Sequence, residues 1–250
     1  MRVTPGVQHE QVTESMLRQH RFGRADLHMH TCYSDGRPSV RAVLDYVACR
    51  TALQVIAITD HDTIDGALAA QELQQEYPFE IIVGEEVSSR EGHILALFIS
   101  RRVPPRMSAA ETVAAIHEQG GIAIAAHPFI TSFGDPVQGI GKKFDSLPFD
   151  AVEVENSTPF MYLANLRARR HNRQGVRLPE VGNSDGHIVE AIGKGYTRFP
   201  GSTAADLRRA IFQGETTAHA SNYGSRELLA YLGFWLDSLR PTRALKASRP

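Results

Sequence analysis

The sequence has little cysteine, almost no net charge and no long apolar run. Its 250 residues include only two cysteines, Cys32 and Cys49, too few for a disulfide framework, which favours a reducing compartment. Lys and Arg total 27 and Asp and Glu total 28. The resulting net charge of -1 argues against a protein that holds long duplex nucleic acid by bulk charge. A local site for a small anion is still allowed.

No segment has the apolar length that a membrane span requires. Residues 1–24 lack the apolar core of a signal peptide. The longest apolar stretch near the C-terminus, Leu228–Leu236, is far shorter than the roughly 20 residues that cross a bilayer. We therefore expect a cytoplasmic protein without a membrane partner.

Length and composition fit one α/β domain with two flanking segments. Hydrophobic residues make up 42% of the chain and charged residues 22%, as in ordinary globular proteins. The sequence predicts an N-terminal extension at 1–24, an α/β barrel at 25–220, and a C-terminal helix with a basic tail at 221–250. The basic residues of the tail are Arg240, Arg243, Lys246 and Arg249.

Short apolar runs alternate with amphipathic segments through the barrel region. Runs such as VIAIT and IAIAA are typical of strands buried on both faces of a parallel sheet. The main predicted strands are Ala25–His28, Gln54–Thr59, Glu80–Val87, His93–Ile99, Ile122–Ala126, Ala151–Glu155 and Arg177–Asn183. Seven strands with interleaved helices favour a closed or nearly closed barrel.

The predicted helices carry recognisable end signals. Among them are Ser39–Arg50 and Ser108–Gln119, and the second opens on a Ser108/Glu111 capping box and stops at Gly120-Gly121. After the seventh strand, a Ser202–Phe212 helix and a Thr216–Ala220 strand are expected to cap the barrel. The Glu227–Leu239 helix carries an apolar stripe that we expect to be buried in the core. Its members are Leu228, Leu229, Leu232, Trp235, Leu236 and Leu239.

Histidine is the abundant residue, with 11 copies against a single tryptophan. Six of the histidines stand at predicted strand termini: His28, His30, His61, His93, His127 and His187. His28 and His30, two residues apart on an extended chain, point the same way and can share one ion. Catalytic groups of barrels gather where strands end. His93 begins its strand, so it reaches the same rim only if that strand is antiparallel to the one before it.

The rim histidines are accompanied by carboxylates, namely Asp35, Glu86 and Asp185. So many polar groups are difficult to bury without ions, because unpaired donors and acceptors are costly. Mixed imidazole and carboxylate ligands suit zinc, manganese or iron. The sequence therefore predicts a metal site. The other histidines are expected to be structural or at the surface: His9, His20, His117, His171 and His219.

Five motifs follow one another in an order that resembles PHP (polymerase and histidinol phosphatase) domains. They are DLHMHTCYSDG, ITDHDT, GEEVSS followed by GHILAL, AAHP and NSDGH. The resemblance extends from about Asp26 to Phe212. It implies an α/β fold, a distorted (β/α)7 barrel with a trinuclear site for two to three divalent ions, and hydrolysis of phosphoesters.

The resemblance also implies a set of nine ligands, all of which are present. His28, His30, Glu86 and Asp185 would hold a first ion. Glu86 would bridge to a second ion held by His93 and His127, and Asp35, His61 and His187 would hold a third.

Several acids near these ligands are expected to play other roles. Glu85 would face away from the ions, because neighbours on a strand point to opposite sides. Asp26, Asp60 and Asp62 are expected to orient histidine ring nitrogens. Asn156 and the Glu153/Glu155 pair end a strand near the site and either shape the pocket floor or serve the structure.

Three divalent ions against three carboxylates and neutral imidazoles leave about three positive charges, which attract a phosphate group. The mechanism expected is in-line attack on phosphorus by a metal-bridging hydroxide. We expect catalytic roles for His61, His187 and Asp185, with His61 or His187 assisting the leaving group.

Substrate contacts are less visible in the sequence. Arg37, Lys194 and Arg198 are candidates to bind a phosphate or carboxylate group, and Arg90 is a further basic residue near the expected mouth. The segment 129–148 is long and Gly-rich and predicts either a lid or a disordered loop.

The function expected first is hydrolysis of a small phosphomonoester or nucleotide. A nuclease or nucleoside-bisphosphate phosphatase acting on short oligonucleotide ends is the alternative, and a non-catalytic metal-binding regulatory module is the second. Failure of every phosphoester with metals bound would favour a carbon–nitrogen hydrolase. The metal, the substrate and the oligomeric state stay open.

Overall fold

A computed structural model describes residues 22–130 and 138–238, and within these ranges nine strands form one sheet. The strands are β1 (Phe22–Asp26), β2 (Val55–Ile58), β3 (Glu80–Ser88), β4 (His93–Leu97), β5 (Ile122–Ala125), β6 (Ala151–Asn156), β7 (Glu180–Asn183), β8 (Gly195–Pro200) and β9 (Thr217–Ala220). The helices are α1 (Val40–Arg50), α2 (Asp65–Glu72), α3 (Ala109–Glu118), α4 (Tyr162–Gln174), α5 (Ala204–Gln213) and α6 (Ser225–Ser238). Short 3₁₀ turns occupy Gln74–Glu76, Gly141–Ser146 and Val189–Ala191.

The order of strands in the sheet is β7-β6-β5-β4-β3-β2-β1-β8-β9. β1, β2 and β3 are parallel, as are β5, β6 and β7, whereas β4 is antiparallel to both of its neighbours. The carboxyl ends of six strands therefore meet at the same rim as the amino end of β4. This antiparallel pairing brings His93 to that rim, as the sequence predicts.

The barrel closes where the chain continues beyond β1 and β7. Met29 and Gly186 form a parallel bridge. The His30 amide donates to the Gly186 carbonyl at 3.0 Å, and the Gly186 amide donates to the His28 carbonyl at 3.3 Å. We call this junction the seam. The prediction of a nearly closed α/β barrel is thereby confirmed.

Each central strand is buried on both faces. In β2 all four residues are buried, and alternate side chains enter two separate apolar clusters. Ile56 and Ile58 pack with side chains of α1 and α2 in one cluster, and Val55 and Ala57 pack in the other. The continuous apolar runs of the sequence follow from this double burial.

Helix ends follow the signals in the sequence. The Ser108/Glu111 capping box at the start of α3 is confirmed, and Gly120, with φ at +72°, follows the end of that helix. A second capping box, from Thr203 and Asp206, begins α5.

Two elements differ from the sequence prediction. β8 was not predicted as a strand. Its buried residues alternate with more exposed ones, the pattern of a strand that covers the barrel with one face. The prediction that the apolar stripe of α6 is buried is wrong: Leu228, Leu229, Leu232, Trp235 and Leu236 are between 47% and 68% exposed. The face of α6 toward the barrel carries Tyr231 and Phe234 instead.

Some predictions lie outside the described residues. They include nearly all of the N-terminal extension with His9 and His20, Leu239, the basic tail, and residues 131–137 of the 129–148 segment. The later part of that segment is packed, because the Gly141–Ser146 turn buries Phe144. No helix in the described ranges is both long and apolar enough to cross a membrane.

Candidate metal centre

The nine side chains expected to be ligands converge at the rim of the barrel. They form four overlapping groups whose ligand atoms lie within 4.8 Å of one another. The groups are His28, His30 and Asp185; His28, Glu86 and His127; His61, Glu86 and His93; and His30, Asp35, His61 and His187. Every expected ligand belongs to at least one group.

Glu86 lies at the centre of the cluster and is buried. Its Oε1 is 2.9 Å from His93 Nδ1 and 3.0 Å from His127 Nε2. Its Oε2 is 3.1 Å from His28 Nε2 and 3.4 Å from His61 Nδ1. One carboxylate thus reaches ligands from four strand ends. Such a group is suited to bridge two ions.

Glu85 points to the other side of β3. Its Oε2 accepts a hydrogen bond from the Val103 amide at 2.8 Å, and its Oε1 lies 3.9 Å from Arg102. The alternation of strand side chains accounts for this separation of neighbouring acids.

Asp185 and Asp35 each contact a histidine from the opposite side of the seam. Asp185 Oδ1 is 3.2 Å from His30 Nε2 and 3.5 Å from His28 Nε2. Asp35 Oδ2 is 3.2 Å from His187 Nε2 and 3.8 Å from His61 Nε2. The Asp35 side chain is 55% exposed, so the cluster opens to solvent on this edge.

Local backbone geometry aims these ligands. Asp185 has φ at +51° and His127 at +24°, values that are uncommon for non-glycine residues and that cluster at functional sites. A Cβ at Gly36 would meet the backbone of His30, so only glycine lets the Asp35 loop fold back onto the chain that follows β1. The same loop is anchored where Thr31 and Ser34 donate to the Asp60 carboxylate.

The ring nitrogens of the cluster fit a metal group. His28 Nε2, His30 Nδ1, His93 Nδ1 and His127 Nδ1 are buried and make no hydrogen bond within the described residues. His28 Nε2 and His93 Nδ1 face Glu86, and His30 Nδ1 faces Asp35 at 3.6 Å, whereas His127 presents its other nitrogen, Nε2, to Glu86. Imidazole nitrogens together with carboxylate oxygens are the donor set of zinc, manganese or iron.

The electrostatics of the cluster favour positive charge. Burial alone would lower the pKa of His30, but Asp185, Glu86 and Asp35 outweigh it and raise that pKa to about 10. Burial would likewise raise the pKa of Glu86 and of Asp185, yet the surrounding histidines hold both well below the usual range. Divalent cations bound in the cluster would supply the same positive charge beside these carboxylates.

Glu153, which the sequence analysis did not pair with any ligand, contacts the ring nitrogen of His28 that faces away from Glu86. Glu153 is fully buried on β6, and its Oε1 lies 3.2 Å from His28 Nδ1.

The expectation that Asp26, Asp60 and Asp62 orient histidine rings differs from what the structure shows. These acids accept hydrogen bonds from backbone amides instead. Asp26 accepts from Ser184 and Gly193, Asp60 from Thr31, and Asp62 from Ser88.

The basic residues expected to contact substrate are placed differently from one another. Arg37 pairs with Asp237 at 2.7 Å and Lys194 pairs with Glu227 at 3.0 Å, both on the side covered by α6. Arg198 is in register with Arg24 near the start of β1, and its guanidinium lies 4.1 Å from the centroid of the Phe22 ring. Arg198 is therefore remote from the metal centre. Arg90 pairs with Glu111 at the surface.

The remaining described histidines lie outside the cluster. His117 contacts Asp150 at 2.8 Å and His171 contacts Asp145 at 2.7 Å. The ring of His219 stacks on that of Tyr196.

Comparison with known proteins agrees with this architecture. A family model described as PHP-associated matches residues 163–216. A solved structure from Bacteroides vulgatus, a two-domain protein described as containing a "predicted PHP-like metal-dependent phosphoesterase", superposes with a TM-score of 0.62 at 20% identity. The match covers 86% of this chain and 69% of that one.

The chain belongs to the PHP domain family.

Sequence relatives extend the match of this PHP domain. An uncharacterized protein of Methanocaldococcus jannaschii is 37% identical over 146 residues, which is 54% of this chain and 82% of that protein. A 5'-3' exoribonuclease of Haemophilus influenzae is 28% identical over 203 residues, which is 78% of this chain and 65% of that protein.

Proposed function

We propose that this PHP domain is a metal-dependent phosphoesterase that hydrolyses a small phosphomonoester or nucleotide. The observation that carries the proposal is the convergence of all nine ligand side chains into four overlapping groups, each with its ligand atoms within 4.8 Å of one another. So many imidazole nitrogens and carboxylate oxygens in one place form a donor set suited to divalent ions.

The proposed assignment of ligands is the one that the resemblance implies, and the convergence of the nine side chains supports it. His28, His30, Glu86 and Asp185 would hold one ion, Glu86, His93 and His127 a second, and Asp35, His61 and His187 a third. When bound, divalent ions neutralise charge on phosphoryl oxygens and lower the pKa of water toward neutrality.

The residues of the chain would orient the substrate around this centre. Because the imidazoles are neutral, the positive charge of bound divalent ions would exceed the negative charge of the carboxylates. A phosphate group would therefore be attracted to the cluster. His61 and His187 are 27% and 18% exposed in their side chains, and they line the open edge beside Asp35. We propose that a leaving oxygen departs along this edge. With only the first two ions bound, His61 and His187 ligate no metal and one of them can supply a proton, while Asp185 holds His30 and His28 in place.

A second candidate is cleavage at the ends of short oligonucleotides. The similarity to the Haemophilus influenzae exoribonuclease over 78% of the chain favours it. The open edge at Asp35 admits a longer substrate, and the net charge of -1 does not oppose short oligonucleotides.

The test is metal-dependent turnover of p-nitrophenyl phosphate. Protein stripped with a chelator should be inactive and should recover with Zn²⁺, Mn²⁺ or Fe²⁺. His30→Ala should lower kcat/KM by at least about 100-fold because it removes a ligand shared by two groups. His117→Ala, which removes a histidine on α3, should leave kcat/KM unchanged.

The substrate class follows from a panel of nucleotides, nucleoside bisphosphates and short oligonucleotides. Mononucleotides or sugar phosphates as preferred substrates support the first candidate. Stepwise release of nucleotides from oligonucleotide ends supports the second. Stoichiometric metal without turnover of any phosphoester would contradict both and favour a regulatory module.

A further inference from the structure

One face of α6 presents five large apolar side chains to solvent. We call this face the α6 stripe, and its members are Leu228, Leu229, Leu232, Trp235 and Leu236, each between 47% and 68% exposed among the described residues. Single apolar residues scattered over a surface are normal, whereas a contiguous apolar patch marks an interaction site. The stripe is therefore a candidate docking surface.

The spacing of the α6 stripe is that of a helix that packs against another helix. Leu229, Leu232 and Leu236 follow one another at intervals of three and four residues, as the a and d positions of a heptad do. Leu228 and Trp235 are seven residues apart and widen the same face. Leucines in this arrangement can enter the spaces between side chains of a facing helix.

Gly233 lies next to this face in the middle of α6. Glycine inside a helix is destabilising relative to alanine. A Cβ at this position would meet no heavy atom within 4 Å apart from the backbone of the helix itself, so packing against the described barrel does not require the glycine. A missing side chain does allow a second helix to approach α6 closely.

The size of the α6 stripe fits a second copy of this chain. Five large side chains at these exposures present on the order of 500 Å² of surface, so two copies joined through the stripe would bury about 1,000 Å². That area is near the lower bound for a specific interface and is suited to a dimer that dissociates at micromolar concentrations. A patch that faces a copy of itself also forms a closed pair rather than a filament.

Charges on α6 favour an antiparallel pair of helices over a lipid surface. Arg226, near the N-terminal end, is exposed and makes no ion pair with a described residue. In an antiparallel pair it would lie near the C-terminal end of the other helix, where carbonyl groups carry partial negative charge. A lipid surface fits less well, because α6 has two acids, Glu227 and Asp237, against one base, and anionic lipids attract basic helices.

We propose that the chain forms a homodimer through the α6 stripe, with the two α6 helices antiparallel about a two-fold axis. The opposite face of α6 contacts the metal centre, since the rings of Phe234 and His187 have centroids 5.7 Å apart. The dimer thus covers the outer side of a helix whose inner side packs against a proposed ligand. The inference does not depend on the proposed hydrolysis.

Trp235, the single tryptophan of the sequence, reports on the stripe without any substitution. Light scattering should give twice the mass of one chain at about 100 μM and the mass of one chain below about 1 μM. Over the same dilution the fluorescence emission of Trp235 should shift to longer wavelength. The reason is that this side chain is 57% exposed in the single chain and would be buried in the dimer.

Two substitutions place a charge inside the α6 stripe. Leu229→Glu and Leu232→Glu should each weaken dimerisation by at least about 100-fold, because two-fold symmetry removes two leucines from the interface and adds two like charges. Leu163→Glu, at an exposed position of α4, is the matched control and should dimerise like the wild type. Circular dichroism should show the same helix content in all three variants.

Several outcomes would overturn the inference. One is a wild-type chain that stays monomeric at the highest concentration, and binding of that monomer to phosphatidylserine vesicles would assign the stripe to a lipid surface instead. Another is a dimer that persists in both stripe variants or forms without a shift in Trp235 emission, because such a dimer uses another face. If a stripe variant unfolds, the dilution series of the wild type decides alone.

Discussion

Glu153 is surrounded by hydrogen-bond donors on every side that the structure describes. Its Oε1 contacts His28 Nδ1 at 3.2 Å and accepts from Asn183 Nδ2 at 2.8 Å. Its Oε2 accepts from the His127 amide at 2.8 Å and from Asn156 Nδ2 at 3.2 Å. Burial alone would raise the pKa of Glu153, but the attraction of His28 outweighs it and lowers that pKa. An ionised carboxylate here keeps the proton of His28 on Nδ1 and turns Nε2 toward the ions.

Replacing Glu153 by glutamine should therefore weaken metal binding. The amide group would direct its own N–H donors at other donors, and the orientation of the His28 ring would no longer be fixed. We expect the affinity for Zn²⁺ or Mn²⁺ to fall about 10- to 100-fold, as for other residues that orient a ligating histidine. Calorimetric titration of the metal-free protein measures this directly.

Glu155→Gln is the matched control for that variant. Glu155 lies two residues along β6 and pairs with Arg169 at 2.6 Å, outside the cluster. Its substitution should leave metal affinity unchanged. An unaltered affinity in Glu153→Gln, with the protein folded, would show that Glu153 serves only the packing of β6.

At this scale the sequence predicts residue types better than it predicts contacts. The candidate metal ligands are recognisable from motifs such as DLHMH and NSDGH, in which alternate residues of an extended chain share a face. The role of Glu153 does not follow from a motif. Which of several nearby acids reaches a ring nitrogen depends on how β6 packs beside β1, and the backbone amides capture Asp26, Asp60 and Asp62 first.

The capping box at the start of α5 contributes measurably to the free energy of unfolding. Thr203 Oγ1 accepts from the Asp206 amide at 3.1 Å, and the Asp206 carboxylate accepts from the Thr203 amide at 3.2 Å. α5 contributes Leu207 and Ile211 to a buried apolar cluster of the barrel. We expect Thr203→Ala to lower the free energy of unfolding by about 1 kcal/mol. Urea denaturation followed by circular dichroism would measure the loss.

Ser202→Ala provides the comparison for the cap. Ser202 contributes its backbone amide, which donates to Asp206 at 3.1 Å, so its side chain should be dispensable. Phosphoesterase activity should be the same in both variants because α5 lies away from the rim. If Thr203→Ala unfolded at the same urea concentration as the wild type, the cap would contribute nothing.

Strands that are buried on both faces could be predicted from the sequence, whereas β8 and α6, which are less buried, could not. Continuous apolar runs led to β2, β3 and β5 within a few residues. β8 carries a shorter alternating pattern, GYTRFP, which the sequence analysis did not assign to a strand and in which it named only Arg198 as a candidate substrate contact. α6 has the periodicity of a core helix, but its position is decided by aromatic and ionic contacts that a periodicity pattern does not encode.

For the whole molecule, metal loading should raise thermal stability. Ions bind the folded cluster, whereas the unfolded chain has no such site, so binding shifts the folding equilibrium. At about 100 times Kd, one ion adds roughly 2.7 kcal/mol. For a protein of this size that corresponds to a rise in Tm of about 5 to 10 °C.

Scanning calorimetry on chelator-treated protein, before and after addition of Zn²⁺ or Mn²⁺, measures the shift. His30→Ala should show a smaller shift than the wild type, and His117→Ala the same shift. Equal Tm values with and without ions, together with no metal in elemental analysis, would contradict the metal centre itself.

The seam has a consequence for the order in which the molecule is assembled. Ligands on its two sides, such as His30 and Asp185, are 155 residues apart in the chain. A ribosome must therefore have released almost the entire barrel before both sides of the cluster exist together. The full ligand set exists only once NSDGH, the last of the five motifs, has been synthesised and has joined the seam, so this motif completes the site.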